Sequence, residues 1–516
     1  MTTMEPLRPP PPTTFIEKHW ILFLALTLFL THRLAIALYN LYFHPLARFP
    51  GPKLNAISNL PYYYYLTIKG EAATHVATWH SLYGDVVRIR PNELSFTNPS
   101  AWTDIMGHRS GPEMGKDPHF YSPVTVGPPN LANAPRAQHG VFRRLMAHGF
   151  SEQAMRAQEP LIRGYVDLLV RRLREHSHSH SHSHSDSDSG NENGEKAVDM
   201  AAWYNYTTFD VIGDLAFGEG FGCLAESRMH PWIEVVTSMG RFMTVLQFVS
   251  LYPVLKGLVL GMMPRAVKEA GVEHARMARE KVLRRMELGE RPDLINTMIK
   301  KREEWNISIE QLTSNAELFI TAGSESTATM LAGTTYFLTT HPEEYRKVVE
   351  EVRSSFKNED EITLLSVSKL SYMLACLNEG MRLYHPISGG LPRLVHEGGA
   401  VIAGDYVPEG TTVAVHHYAT YRQERNFTDA LSFHPERFLN DLRFANDKIK
   451  AFQPFNVGPR DCVGRNLAYA EMRLILARVL YNFDLRIAED SLEWTKQKSF
   501  LFWKKPALNM YLTAVR

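Results

Sequence analysis

The sequence predicts a mainly α-helical fold with small β-sheets, preceded by an N-terminal membrane anchor helix. Three observations predict it. Residues 20–38 form a nearly unbroken apolar run. Residues 198–516 alternate helical stretches with short turns. One of those stretches, from about Ile309 to Thr339, covers about 30 residues, or roughly 45 Å at 1.5 Å per residue, enough to cross a domain.

The chain has 516 residues, 44% of them hydrophobic and 22% charged, which is enough apolar material for a deep core. Its 56 Lys+Arg against 55 Asp+Glu leave a net charge of +1. That argues against a surface built throughout for nucleic acid, so no nucleic-acid partner is expected. Cys223, Cys376 and Cys462 are the three cysteines. They are too few for a secreted disulfide scaffold and cannot form a four-cysteine zinc module.

Residues 1–19, rich in Pro and Thr from Pro9–Pro12 to Thr13-Thr14, read as a flexible N-terminus. Residues 20–38 follow as a transmembrane anchor, since a span needs about 20 mainly apolar residues. A cleaved signal peptide would carry a shorter run and a small-residue cleavage site. Neither Thr31-His32-Arg33 nor Tyr39-Asn40-Leu41-Tyr42 supplies one, so a retained anchor is favoured over a signal peptide or an interfacial helix. Local Lys/Arg counts leave its orientation open. Phe49-Pro50-Gly51-Pro52 is a stiff, non-helical exit into a catalytic domain spanning 45–516. Asp85–Arg90 carries an early strand signal. Within 176–195, His176, His178, His180, His182 and His184 alternate with serine. Such a tract can bind a divalent metal, but it has no apolar side to bury, so a disordered surface insertion is the favoured reading.

The most informative segment is Phe455-Asn456-Val457-Gly458-Pro459-Arg460-Asp461-Cys462-Val463-Gly464. Its glycines permit close approach by a flat ligand. Arg460 supplies a fixed positive charge for an anionic partner. Cys462 stands just ahead of a helical run, Leu467–Ala477, whose positive N-terminal end favours a thiolate. A lone thiolate in that setting suits the axial ligand of a haem iron. Two more patterns lie upstream. Glu379-Gly380-Met381-Arg382 places acid and base on one helical face, with Phe433-His434-Pro435-Glu436-Arg437-Phe438 downstream. Ala322-Gly323-Ser324-Glu325-Ser326-Thr327 interrupts the long helix with glycine and hydroxyls. Ser308 with Gln311 looks like its capping box, and Pro342 marks its stop.

Together these motifs resemble the cytochrome P450 superfamily, the haem-thiolate monooxygenases. The resemblance implies the cytochrome P450 fold, with the long central helix over a haem b (iron protoporphyrin IX). It implies Cys462 as iron ligand, with Arg460 and Phe455 in the haem loop. Arg393, of Leu391-Pro392-Arg393, and Arg143 with His139, where the family carries Trp, become haem-propionate candidates. Glu379, Arg382 and Arg437 become a structural triad. On the central helix, Gly323 makes room for dioxygen, and Glu325 with Ser326 steers protons to it. Ser326 departs from the family's usual threonine, so this role falls partly on Thr327. Tyr39–Pro45 and Asp199–Gly218 resemble membrane-bound fungal members of secondary metabolism. A lipophilic terpenoid, polyketide or alkaloid substrate is therefore implied, in a pocket drawing on Pro112–Pro135, Met239–Pro264, Ile387–Leu391 and Phe500–Phe502.

Gly218–Gly222 is too short for a dinucleotide fingerprint, and no P-loop is present. Electrons are then expected from a separate NADPH-cytochrome reductase. The expected location is a single-pass membrane protein of the endoplasmic reticulum with its catalytic domain facing the cytoplasm. Desaturation, epoxidation and ring coupling share this scaffold. A haem-binding protein without turnover and a reductase-independent haem-thiolate isomerase are rivals, and the acid–hydroxyl pair on the central helix speaks against both.

Overall fold

The computed structural model describes residues 15–108, 111–122, 127–178 and 196–516. The head up to residue 14 and residues 179–195 of the His/Ser tract lie outside them. Helix α1 (Phe15–Leu38) continues without a break into one π-helical turn, Tyr39–Phe43. Residues 15–19 thus belong to the helix rather than to the N-terminal head, since no Pro or Gly interrupts them. His19–Phe43 is the one stretch among the described residues long and apolar enough to cross a membrane. Large side chains from Trp20 to Leu30 are exposed, as a lipid-facing helix requires.

The exit from this helix is pinned by hydrogen bonds. The Arg88 guanidinium donates to Asn40 O (2.7 Å), and the Arg88 N–H donates to Pro50 O (2.8 Å). A Cβ at Gly51 would stand 2.4 Å from Arg88 O, so only glycine lets the exit lie this close to the first strand.

Strands β1 (Val86–Arg90), β2 (Glu93–Phe96) and β3 (Gly115–Lys116) come early. Helices α2 (Arg136–Ala147) and α3 (Glu152–His178) follow. The start of the His/Ser tract is therefore helical, not an insertion from residue 176 onward: His176 packs edge-on against Trp203 at 5.2 Å. Strand β4 (Val198–Asp199) leads into α4 (Met200–Phe217), where the Asp199 carboxylate caps the helix by accepting from Ala201 N (3.0 Å) and Ala202 N (3.2 Å). Helix α5 (Pro231–Ser250) follows α4 in the chain.

Helix α6 (Ile309–Thr340) starts on the expected capping box. Gln311 N donates to Ser308 Oγ (3.1 Å), and Ser308 N donates to Gln311 Oε1 (3.0 Å). Pro342 opens the next helix, as a residue without an N–H can. Helix α7 (Ser371–Leu383) crosses α6 where Gly380 meets Thr334, and a Cβ at Gly380 would sit 2.4 Å from Thr334 Oγ1. Helix α8 (Arg465–Asn482) follows the cysteine loop. Buried apolar side chains of α4, α6, α7 and α8 form one continuous core.

Strands β5 (Arg393–Leu394) and β6 (Thr412–Val415) complete a sheet of order β1-β2-β6-β5-β3, in which only β2 and β6 run parallel. Strands β7 (Phe483–Ile487) and β8 (Asn509–Ala514) join β4 in a second sheet, β4-β8-β7. The pairing of β3 with β5 sets Lys116 opposite Arg393.

The acid–base face of α7 is buried completely. Arg382 grips Glu379 bidentately (Nε to Oε2 2.7 Å, Nη2 to Oε1 2.7 Å) and donates to the carbonyls of Tyr421 (2.7 Å) and Ala430 (2.6 Å). Arg437 reaches the same Glu379 (3.0 Å) and also pairs with Asp447. Glu379→Leu would leave the Arg382 charge buried without a carboxylate. It should cost about 3–5 kcal/mol, seen as a lowered urea midpoint in near-ultraviolet circular dichroism of the full chain. An unchanged midpoint would contradict the structural role.

Candidate active site

The cysteine loop, α6, α2, the β3–β5 pair and the segment after α7 enclose one cavity of ≈370 Å³. Its walls are mostly apolar, with Leu131, Phe150, Ile212, Phe319 and Met330 among them. Eight of the nine expected site residues line it: Cys462, Arg460, Phe455, Arg393, Arg143, His139, Ser326 and Thr327. The ninth, Glu325, does not. It is buried beside the cavity, where Lys505 holds its Oε1 at 2.5 Å. Phe502 and Ile387 line the cavity as expected, but among the described residues none of Met239–Pro264 does. In that stretch Phe248 packs on Tyr63 (5.1 Å), while Val254, Leu258 and Met262 face outward.

The loop is shaped by its glycines and one backbone bond. Cys462 N donates to Phe455 O (2.8 Å), which closes the loop over its own start. Gly458 has φ +82°, and a Cβ there would lie 1.9 Å from Met106 O. Cys462 opens onto the cavity, and the cavity lies inside the protein. Burial therefore pushes its thiol up. The Gly464 N–H and the Arg143 and Arg465 charges oppose that without reversing it. The helix start alone does not make the thiolate, contrary to expectation. A coordinated cation would be needed to do so.

The cations divide into two groups. Arg143 and Arg460 have acids: Arg143 donates to Asp461 Oδ1 and Asp461 O (both 2.5 Å), and Arg460 pairs with Glu113 and donates to Ala134 O (3.0 Å). Lys116 and Arg393 form no ion pair among the described residues. Lys116 donates to Ala132 O, and Arg393 donates to Tyr121 Oη (2.6 Å) and Pro392 O (3.1 Å). Like charges directly opposite each other on paired strands repel. Burial, then Arg393 and Arg460, lower the Lys116 pKa to about 6. Burial, then Arg460 and Lys116, lower that of His139 to about 4.

Lys116, Tyr121 and Lys505 were missed by sequence reasoning, as was Glu471 on α8. Glu471 lines the cavity, and burial alone holds its carboxyl well above the usual range. None belongs to a local motif. Lys116 becomes informative only once β3 pairs with the Leu391-Pro392-Arg393 strand.

A family description, Cytochrome P450, matches residues 50–512. The chain belongs to the cytochrome P450 family. It is 46% identical to cytochrome P450 monooxygenase prhB of Penicillium brasilianum, over 92% of this chain and 95% of the relative. It is 41% identical to the trichothecene C-15 hydroxylase of Fusarium sporotrichioides, over 94% and 96%. The averantin hydroxylase of Dothistroma septosporum is 42% identical, over 92% and 88%. This P450 is thus a monooxygenase related to fungal enzymes, and the family implies a haem iron cofactor, a small-molecule substrate, dioxygen and a redox partner.

The residues present fit a haem. The Cys462 thiol lines the cavity, and two cations that line it, buried Arg393 and half-buried Lys116, form no ion pair among the described residues, which suits a ligand carrying carboxylates and a metal ion. Gly458→Ala forces its φ out of the left-handed region or pushes Met106 aside. That strain of about 1–3 kcal/mol should abolish haem uptake, read from the ratio of Soret to protein absorbance. Lys116 makes a second prediction. Its folded pKa, about 6, lies below the 10.5 of the free side chain, so between those values the unfolded chain binds the extra proton. Its stabilisation is therefore least below pH 6 and grows as pH rises. A carboxylate placed against it reverses the shift, so haem binding at pH 8 should take up a proton at Lys116, offsetting the one that the Cys462 thiol releases on coordination. Calorimetry in buffers of different ionisation enthalpy checks this: Lys116→Met should release about one proton more than the parent.

Proposed function

We propose that the chain is a membrane-anchored haem-thiolate monooxygenase that inserts one oxygen atom from dioxygen into a lipophilic secondary metabolite, with haem b as cofactor. The observation that carries this is the convergence of Cys462, unpaired cations and the hydroxyl face of α6 on one apolar cavity. Residues 20–38 act as the anchor and 45–516 as the catalytic domain. Electrons come from an NADPH-cytochrome reductase, and the catalytic domain faces the cytoplasm from the endoplasmic reticulum.

Cys462 is the iron ligand in this proposal, and the loop bond from its N–H to Phe455 O fixes the direction of the thiol. Haem, when bound, supplies the oxygen activation. The protein binds and orients it. Lys116, Arg393 and Tyr121 take the propionates, and His139, neutral at pH 7, donates a hydrogen bond without adding a third charge. Arg143 and Arg460 hold the loop against α2 and the 113–134 segment. Leu131, Ile212, Phe319 and Met330 exclude water and favour an apolar substrate. Ser326, now bonded to Ala322 O (2.6 Å), and Thr327 present the hydroxyls that pass protons, with Glu325 as the acid behind them.

Two related names describe hydroxylases, of a trichothecene and of averantin, which supports hydroxylation of a polycyclic substrate here. Reduced protein with carbon monoxide should show the red-shifted Soret band of a thiolate-ligated haem, and Cys462→Ala should lose it while still folding. A normal band in Cys462→Ala would sink the assignment. Product should form only when NADPH, reductase and dioxygen are all present.

A further inference from the structure

Glu325 carries an interaction that the family motif does not announce. Its Oε1 accepts from Lys505 Nζ (2.5 Å) and from Thr329 Oγ1 (3.3 Å), and Lys505 also donates to Thr329 Oγ1 (2.7 Å). Both charged side chains are buried, 8% exposed for Lys505 and 6% for Glu325. The second oxygen, Oε2, is buried and has no partner.

Lys505 is held from both sides. Trp503 Nε1 donates to His385 O (2.8 Å), and its ring stacks on Tyr384 at 5.0 Å. Trp494 Nε1 donates to Pro506 O (3.0 Å). The residues flanking Lys505 are thus tied to the segment after α7 and to a second indole. A lysine normally loses a large rotamer entropy when fixed. Here the backbone beneath it is already immobile, so a fixed ammonium costs less. The cation reaches α6 from the far end of the chain, and Phe502, three residues before it, lines the cavity.

We propose that Lys505 is the positioning residue of the oxygen-side acid. It fixes the rotamer of Glu325 by occupying Oε1, leaving the unpartnered Oε2 as the atom that takes up a proton and passes it toward Ser326 and Thr327. The carboxylate is restored after each transfer, so protons balance and no further reagent is needed. The inference rests on the proposed role of Glu325 in proton delivery. Among the described residues, Lys505 and Tyr384 are the ionisable groups facing Glu325. Tyr384 is kept neutral by burial first and by Glu325 second, and its hydroxyl donates to Gln497 (2.7 Å).

Removing the Lys505 ammonium leaves a buried carboxylate without its charged partner, which frees its rotamer and disfavours its charged form. The test uses the full chain, haem-loaded, in phosphatidylcholine vesicles with NADPH-cytochrome reductase and no added substrate. Hydrogen peroxide released per NADPH consumed is measured from pH 6 to 8.5, in H2O and in D2O. Lys505→Met should raise peroxide about threefold or more and give it a pH dependence the parent lacks, with a changed solvent isotope effect, a size ordinary for misplaced acid–base catalysis. Lys505→Arg should restore the parent values. Equal impairment of Lys505→Met and Lys505→Arg with a flat pH profile assigns Lys505 a purely structural part and overturns the proposal. So does a Lys505→Met protein indistinguishable from the parent while Glu325→Gln is impaired. If Glu325→Gln itself behaves as the parent, the proton-delivery role of Glu325 fails first. The Lys505 inference then falls with it, by a separate result.

Discussion

The completely buried cluster of Glu379, Arg382 and Arg437 is the constraint on which the rest of this structure leans. Two guanidinium groups share one carboxylate in the core; Arg382 spends its remaining N–H groups on backbone carbonyls, and Arg437 spends its own on backbone carbonyls and the Asp447 carboxylate. Those carbonyls belong to residues 421–432, a stretch without regular helix or strand beyond its first residue. Burial of ions is costly unless every polar atom is met, so the cluster forces this irregular chain into one course. From there the course is handed on. Gln453 N donates to Tyr421 Oη (3.1 Å), Trp102 Nε1 donates to Ala451 O (3.0 Å), and His385 Nε2 lies 3.0 Å from Pro454 O. The next residue is Phe455, where the cysteine loop begins. A cluster with no contact to any reacting atom thereby sets where the thiol points.

A second tension runs through the cavity itself. Its walls exclude water, and that penalises every charge facing it. The protein answers in two ways. Arg143 and Arg460 are neutralised by acids on the spot. Lys116, Arg393 and the Cys462 thiol are left with their electrostatic demand unmet, and burial moves both Lys116 and Cys462 toward their neutral forms. An unmet demand in a dry site is a store of binding free energy for whatever ligand brings the missing charges. A ring with carboxylates at one edge and a cation at its centre answers all three groups together.

What was legible in the sequence was local. The capping box at Ser308, the Glu379–Arg382 pairing and the glycine–cysteine loop each lie within a short window, where period and backbone chemistry decide the outcome. They appear in the structure at the residues that carried them. What was not legible was pairing across the chain. Lys116 meets Arg393, and Lys505 meets Glu325, across long separations with no shared motif. The Met239–Pro264 stretch was legible only in part: Thr244 and Gln247 line a smaller neighbouring cavity with Ile387 and Phe500, while Val254 and Met262 point out, because hydrophobicity alone does not distinguish an inward face from an outward one. The extent of the His/Ser tract was overstated at its start because helix α3 has enough momentum from its buried face to carry through His176.

The serine at 326 gains meaning from this geometry. Hydroxyls along α6 repeatedly donate to the carbonyl four residues back: Ser324 to Ile320 (2.6 Å), Ser326 to Ala322 (2.6 Å) and Thr321 to Glu317 (3.3 Å). Each keeps its lone pairs free, so in this rotamer Ser326 faces the cavity as an acceptor. To donate inward it must rotate about χ1 and give up one helix bond, at a net cost of about 1 kcal/mol. Threonine would restrict that rotation through its methyl group, whereas serine leaves it open. A mobile hydroxyl gains from an acid that does not move, because only one of the two partners then has to be ordered for transfer. Glu325, clamped between Lys505 and Thr329, is such an acid. In the proposed proton relay, the serine at 326 and the buried ammonium at 505 are therefore complementary features.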